Sequence, residues 1–106
     1  MDKQMKQAKM QNFCQLTGAG FTWVQASRLQ EISHSLHTLD ENECNWGLTK
    51  RQETRQANLE KEANEIAAAR KLEAYHQGDP RGWSLYLINP GEEDYTKGVG
   101  IFPHGN

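Results

Sequence analysis

Residues 77–88 read Gln-Gly-Asp-Pro-Arg-Gly-Trp-Ser-Leu-Tyr-Leu-Ile, a dense turn followed by a β-prone segment. Proline fixes its own φ, aspartate bonds forward to the backbone, and glycine accepts a positive φ, so residues 78–82 favour a tight turn. An extended segment, residues 72–77, precedes the turn, and residues 84–88 follow it. The block therefore predicts a β-hairpin in which Gly78 or Gly82 has a positive φ.

Strand periodicity assigns the hairpin residues to faces. Leu85 and Leu87 are two residues apart and share one face, whereas Tyr86 and Ile88 occupy the other. A second turn at residues 89–91 leads to a third short strand at residues 99–102, before a loose tail at 103–106. The third helix is expected to carry an apolar stripe of Leu59, Ala63, Ile66 and Ala67, and we expect the two leucines to pack against Leu59, Ala63 and Ile66.

Helical signals fill the first two thirds of the chain. Residues 2–16 predict a short and weakly ordered helix, and Thr22 with Gln25 forms a capping box that opens a second helix over residues 23–39. An acidic break at 40–43 and a compact turn at 44–48 are expected next. A second capping box, Thr49 with Gln52, opens a third helix over residues 50–71. The predicted buried stripe of the second helix is Trp23, Ala26, Leu29, Ile32, Leu36 and Leu39.

These elements predict an α+β fold of one small domain over residues 1–106. Two or three N-terminal helices pack on a C-terminal antiparallel sheet of about three strands. The core is lean, because hydrophobic residues make up 36% of the chain and the mean hydropathy is −0.89. A homodimer or a bound partner is expected to add stability to so small a core.

Composition narrows the classes of function. The net charge of −2 provides no cationic field for nucleic acid, so nucleic-acid binding is not the first expectation. Two cysteines are too few for a disulfide framework, and no signal peptide or membrane-spanning run is evident, so we expect a reduced protein in the cytoplasm and no membrane partner. Neither glycine pair completes a phosphate-binding loop, so no cofactor is expected.

Candidate binding residues are those that the predicted core does not explain. Trp46 and Trp83 lie next to turns, and Trp is enriched at interaction hot spots. Basic side chains at the start of the third helix oppose its macrodipole, which favours a functional surface there. An acidic loop at residues 92–94 offers a mimic of nucleic acid, and two charges flank Pro80 at the hairpin tip. The predicted partner-binding set is Trp46, Lys50, Arg51, Arg55, Asp79, Arg81, Trp83, Glu92, Glu93 and Asp94.

Two other classes of function stay open. His34, His37 and Cys44 could hold a metal ion or serve an enzyme, although their spacing matches no zinc motif. The simpler interpretation places both histidines on an exposed face beside the apolar stripe and makes Cys44 a small buried hydrophobic residue. Cys14 and Cys44 are expected to be structural rather than nucleophilic. A nucleic-acid regulator could use the basic helix start in a helix-turn-helix. The predicted connection of nine residues, 40–48, is longer than that motif allows.

Five short segments carry a resemblance to a known group. They are Glu43-Cys44-Asn45, Leu48-Thr49-x-Arg51-Gln52, Asn58-Leu59-Glu60, Gly78-Asp79-Pro80-Arg81-Gly82 and Leu85-Tyr86-Leu87. Together they resemble a group of small phage and prophage proteins. The resemblance implies an accessory protein of the host cytoplasm that binds a host protein, and it favours an inhibitor of host defence such as an anti-CRISPR protein. It supplies no catalytic residues.

Overall fold

The computed structural model describes residues 3–78 and 83–103, with side chains from residue 6 onward. Within these residues, helices α1 (Lys3–Gly18), α2 (Trp23–Trp46) and α3 (Lys50–Ala68) come first. Strands β1 (Glu73–His76), β2 (Leu85–Ile88) and β3 (Val99–Gly100) follow, with a 3-10 helix (Tyr95–Lys97) before β3. The strands form an antiparallel sheet in the order β1-β2-β3, so the predicted α+β fold is confirmed.

Both predicted capping boxes are present. Gln25 N donates to Thr22 Oγ1 at 3.1 Å, and Thr22 N donates to Gln25 Oε1 at 2.9 Å. Thr49 and Gln52 form the same reciprocal pair at 3.2 and 2.9 Å. Each box satisfies two backbone donors that the first turn of a helix leaves free, which is why α2 and α3 begin where the sequence predicts.

Helix α2 continues to Trp46 rather than ending at Leu39, so the predicted acidic break and the turn at 44–48 are wrong. Residues 40–46 contain neither glycine nor proline, and their glutamates are good helix formers. Gly47 ends the helix with a φ of 76°, a value that glycine adopts without steric cost. The connection to α3 is consequently three residues, 47–49, and not nine.

Helix α3 ends at Ala68, earlier than the predicted residue 71. Lys71 has a φ of 58°, and the N–H of Leu72 turns back to the carbonyl of Ala67 at 3.0 Å. This left-handed residue reverses the chain into β1.

The inner face of the sheet packs against the helices, as predicted. Leu85 and Leu87 share one buried cluster with Leu59, Ala63 and Ala67 of α3, and Ile66 packs against it half-buried. The α2 stripe is buried from Ala26 to Leu39, but Trp23 is 77% exposed, so its assignment to the stripe is wrong. Trp23 is the first residue of α2 and lies beyond the end of the core.

The outer face of the sheet is also covered. Tyr86 and Ile88 point away from the leucines and are nonetheless buried. The ring of Tyr95 lies 4.8 Å from that of Tyr86 and stacks on Tyr75 at 5.8 Å. Ile88 packs directly on the backbone of Gly98, because a Cβ added to Gly98 would lie only 2.7 Å from the Ile88 side chain. The segment around the 3-10 helix therefore shields this face.

Buried polar side chains attach the last strand to the helices, a feature that the sequence analysis missed. Asn12 Nδ2 donates to the carbonyl of Gly100 at 2.7 Å, and the N–H of Phe102 donates to Asn12 Oδ1 at 2.8 Å. Ser33 Oγ donates to the carbonyl of Ile101 at 2.8 Å, and Gln30 Nε2 donates to Asn12 Oδ1 at 3.2 Å. Asn12 thus takes the place of a neighbouring strand at the edge of β3.

A membrane-spanning helix, long and apolar enough to cross a bilayer, is not found among residues 3–78 and 83–103.

The predicted hairpin turn lies mostly outside the described residues, because residues 79–82 are not included. Gly78 does not have a positive φ, and the prediction for Gly82 is outside the described range.

Candidate binding surface

The end of α2 projects from the domain. Residues 43–47 are all exposed, and Trp46 is 88% exposed, more than any other large apolar side chain described. Leu48 returns to the core, against which it packs, and Thr49 caps α3. The corner between the two helices is therefore anchored at its base while its tryptophan faces solvent.

Basic side chains follow directly on α3. Lys50, Arg51 and Arg55 are exposed, and within the described part of the chain none of them forms an ion pair. The first turn of α3 carries the partial positive charge of the helix, which disfavours cations at that position. We define the corner surface as Trp46, Lys50, Arg51 and Arg55, the part of the predicted binding set that lies at the end of α2 and in the first two turns of α3.

The C-terminal end of α2 carries acidic side chains, although a helix C-terminus disfavours them. Glu41 pairs with His37 at 2.8 Å, and Glu43 is exposed in the last turn, where no basic residue is present. The end of α2 thus carries charges that its dipole disfavours, and the first turn of α3 places Lys50 and Arg51 beside a single favourable acid, Glu53. Because such a pattern costs folding free energy, it points to a role other than stability.

A groove along α2 and α3 adjoins the corner surface. Arg51 and Arg55 line a cavity of about 490 Å³ whose far end is formed by Arg28 and Glu62. Arg28 Nη2 donates to Glu62 Oε1 at 2.7 Å, and Glu31 accepts from Nη1 at 3.2 Å. Because this pairing joins the start of α2 to the second half of α3, the two helices form an antiparallel hairpin rather than a helix-turn-helix.

The Arg28–Glu62 pair predicts a pH dependence of stability. Hydrogen bonding from Arg28 lowers the pKa of Glu62 in the folded protein. The stability that the ionised pair contributes is therefore fully present above the ordinary pKa of 4.5, and it is lost as the pH falls through the lower pKa of the folded protein. We expect Arg28→Ala to lower the unfolding free energy at pH 7 by about 0.5–1 kcal/mol, since both side chains are well exposed.

Urea unfolding of the Arg28→Ala variant and the wild type at pH 7 and pH 3 measures this effect, and the difference in unfolding free energy should be smaller at pH 3. Arg51→Ala, which removes an unpaired arginine from the same groove, is the matched control. An equal loss at both pH values would show that Arg28 acts through packing alone.

The other predicted binding residues lie elsewhere. Trp83 is half-buried, its ring occupies the space beside Gly100, and it packs edge-on against Phe102 at 6.1 Å. It also lines a cavity of about 840 Å³ along α1. Asp79 and Arg81 lie outside the described residues.

Two of the three acidic loop residues hold the loop itself. Glu92 Oε1 accepts from the N–H of Asp94 at 3.1 Å, and Asp94 caps the 3-10 helix through Thr96 N at 3.0 Å. Hydrogen bonds from Thr96 lower the pKa of Asp94. Glu93 is exposed and forms no such bond among the described residues.

The alternative metal site is not assembled. His34 lines a cavity against α3, whereas His37 and Cys44 line a separate cleft of about 460 Å³ with Asp40 and Ser84. Within residues 3–78 and 83–103, no three His, Cys, Asp or Glu side chains are arranged so that they could hold a metal ion. Cys44 is exposed, so its interpretation as a small buried hydrophobic residue is wrong, and Cys14 is exposed as well.

A buried polar cluster beside this cleft was missed by the sequence analysis. His76 is opposite Leu85 in the β1–β2 register and therefore faces inward, where its side chain is 9% exposed. Its Nε2 lies 2.9 Å from Asp40 Oδ1, and its Nδ1 lies 3.2 Å from Glu60 Oε2 and 3.2 Å from Gln56 Nε2. Ser84 Oγ donates to Asp40 Oδ2 at 2.8 Å, not to His76, so the cluster contains no nucleophile–base pair.

A sequence signal for this cluster does exist. Once Leu85 and Leu87 are placed inward, the hairpin register places Ala74 and His76 inward too. Asp40 follows Leu36 by four residues, on the same face of α2 once that helix is extended.

Comparison with protein-family models, with curated proteins and with solved structures returned no match for this chain. The assignment of function therefore rests on the residues and their geometry.

Proposed function

We propose that this chain is a non-enzymatic binding protein that contacts another protein through the corner surface. The observation that carries the proposal is the 88% exposure of Trp46 at the tip of a capped and anchored helical corner. A tryptophan this exposed buries little apolar area within the described part of the chain, whereas burial at an interface would desolvate a large aromatic ring. Trp and Arg are the residues most enriched among interface hot spots.

The charges around Trp46 indicate the chemistry of the partner. Lys50, Arg51 and Arg55 carry unpaired positive charge, while the net charge of the whole chain is −2. A local basic patch on an acidic protein selects an acidic surface on a partner and steers its approach. The partner surface proposed is an apolar pocket for the indole, bordered by Asp and Glu side chains.

The biological setting of the proposal comes from the resemblance to small phage and prophage proteins. An accessory protein of this kind works in the cytoplasm of the infected host by occupying a host protein. A defence component such as a CRISPR effector is the partner class that the resemblance favours, and inhibition by occlusion needs neither catalysis nor a cofactor.

The test is affinity capture from host lysate with matched baits. We expect a host protein in stoichiometric amount with the wild type, and about 30-fold weaker binding or more with Trp46→Ala, since a hot-spot tryptophan contributes roughly 2 kcal/mol or more. Charge reversal at Lys50 and Arg51 should weaken the same interaction and reduce its salt dependence. Trp23→Ala is the control, because Trp23 is similarly exposed at the opposite end of α2.

Two outcomes would contradict the proposal. One is the recovery of no stoichiometric protein, and the other is a partner lost on Trp23→Ala and retained on Trp46→Ala. A duplex-DNA mobility shift at low salt that Lys50 and Arg51 reversal abolishes would instead favour the nucleic-acid regulator.

A further inference from the structure

The groove between α2 and α3 carries more positive than negative charge. Arg28, Arg51 and Arg55 line it, against one carboxylate, that of Glu62. Glu62 and Glu31 both accept hydrogen bonds from Arg28, so the charge at that end of the groove is balanced. Arg51 and Arg55 form no ion pair within the described part of the chain. The half of the groove next to the corner is therefore its cationic half.

The other lining residues suit an anionic ligand that is itself a peptide. Leu59 lies one turn beyond Arg55 and contributes an apolar side chain that is 6% exposed. A concave surface with low-dielectric walls and charge mostly of one sign concentrates its electrostatic potential. The side-chain amide of Asn58 forms no hydrogen bond among the described residues, and it can both donate to and accept from a peptide backbone.

The spacing of the two arginines indicates the form of the ligand. Arg51 and Arg55 are four residues apart in α3, which places them on one face, about 6 Å apart along the helix axis. Alternate side chains of an extended chain point the same way and are about 7 Å apart. Two acidic side chains separated by one residue therefore match the two guanidinium groups. Each guanidinium can hold a carboxylate through two parallel hydrogen bonds.

We propose that the groove binds an extended acidic segment of a partner protein, in which two acidic residues separated by one residue contact Arg51 and Arg55. The proposal rests on the proposed function, because both arginines belong to the corner surface, and it extends the contact along α3. Glu62 limits the acidic pattern, since a further carboxylate at that end would meet a like charge. Glu31, Glu62 and the net charge of −2 disfavour the continuous phosphates of a nucleic acid.

Two short peptides of equal charge test the spacing. Acetyl-Ala-Glu-Ala-Glu-Ala-amide carries alternate glutamates, and acetyl-Ala-Ala-Glu-Glu-Ala-amide has the same composition with adjacent ones. Titration of the isotope-labelled full chain at low salt, followed by NMR, measures both dissociation constants. Adjacent side chains of an extended chain point to opposite faces, so only one of them reaches an arginine. Because an exposed ion pair contributes a few-fold in affinity, we expect the alternating peptide to bind about threefold more tightly.

Arg55→Gln should weaken binding of the alternating peptide by about threefold and remove its advantage over the adjacent isomer. Lys97→Gln removes an equal charge from the 3-10 helix, on the outer face of the sheet, and should leave both dissociation constants unchanged. Equal binding of the two isomers, or equal effects of the two variants, would overturn the proposal and indicate non-specific charge attraction. A mobility shift of duplex DNA that Arg55→Gln abolishes would overturn it in favour of nucleic acid.

Two results separate the groove from the corner surface as a whole. If the isomers bind equally while capture from host lysate still depends on Trp46, the corner binds a partner without the groove, and only the groove proposal fails. If the alternating peptide is preferred through Arg55 while no Trp46-dependent partner is captured, the groove binds acidic segments and the proposed function fails.

Discussion

Replacing Asn12 with alanine is expected to lower the free energy of unfolding by about 3 kcal/mol or more. Asn12 is 2% exposed, and its amide pairs with the carbonyl of Gly100 and the N–H of Phe102. The substitution removes the partner of the Gly100 carbonyl and of the Phe102 N–H, while the Gln30 amide keeps only the carbonyl of Lys9, and each unpaired group costs about 1–3 kcal/mol. Urea unfolding followed by circular dichroism measures the loss.

The controls separate hydrogen bonding from volume. Gln11→Ala changes an exposed neighbour on α1 and should stay within about 0.5 kcal/mol of the wild type. Asn12→Leu restores volume without polar atoms and should remain destabilised. A leucine variant as stable as the wild type would mean that Asn12 contributes packing rather than attachment of β3.

The second large effect is expected in β2. Leu85→Ala and Leu87→Ala should each cost about 2–5 kcal/mol, because both side chains are buried in the cluster that joins the sheet to the helices. That is a large fraction of the 5–15 kcal/mol typical of a whole domain. Thermal melting and urea unfolding of the two variants measure the cost.

Tyr86→Ala is expected to be severely destabilising too, at about 3 kcal/mol or more, because Tyr86 is buried against Tyr95 on the outer face. Because substitutions on either face of β2 are expected to destabilise the protein, a destabilised variant on one face does not by itself identify the strand register. Val99→Ala, at an exposed position of β3, is the control and should change little. Leucine variants that melt like the wild type would contradict the packing of the sheet on the helices.

The sequence predicted those features that local chemistry determines. A capping box joins two residues that are three apart in sequence, so it can be recognised from the sequence alone. The shared face of Leu85 and Leu87 follows in the same way from the alternation of side chains along a strand. The α2 boundary was misjudged because an acidic run was interpreted as a break, although glutamate favours helix and the first breaking residue is Gly47. The same misjudged boundary led to the expectation that Cys44 is buried. The longer helix instead carries Cys44 to the exposed corner.

Partners distant in sequence were not predicted. Asn12 and Gly100 are 88 residues apart, and His76 and Asp40 are 36 apart, so no periodicity within a helix or strand connects them. Of the candidate site, the exposed tryptophan and the basic helix start were identified from the sequence. The structure adds that these residues occupy one anchored corner, and that Glu92 and Asp94 serve their own loop.

The attachment of β3 through Asn12 has a consequence for the order of folding. During synthesis, residue 12 leaves the ribosome long before residues 100 and 102, to which Asn12 is hydrogen-bonded in the folded protein. The capped α2–α3 hairpin can therefore form before β3 is available to α1. Closing so long a loop costs more conformational entropy than forming the local contacts of a helical hairpin, and contacts between distant residues slow folding. We therefore expect α1 to dock and β3 to join the sheet in one late step, and pulse-labelling hydrogen exchange should protect α3 amides before those of residues 100–102.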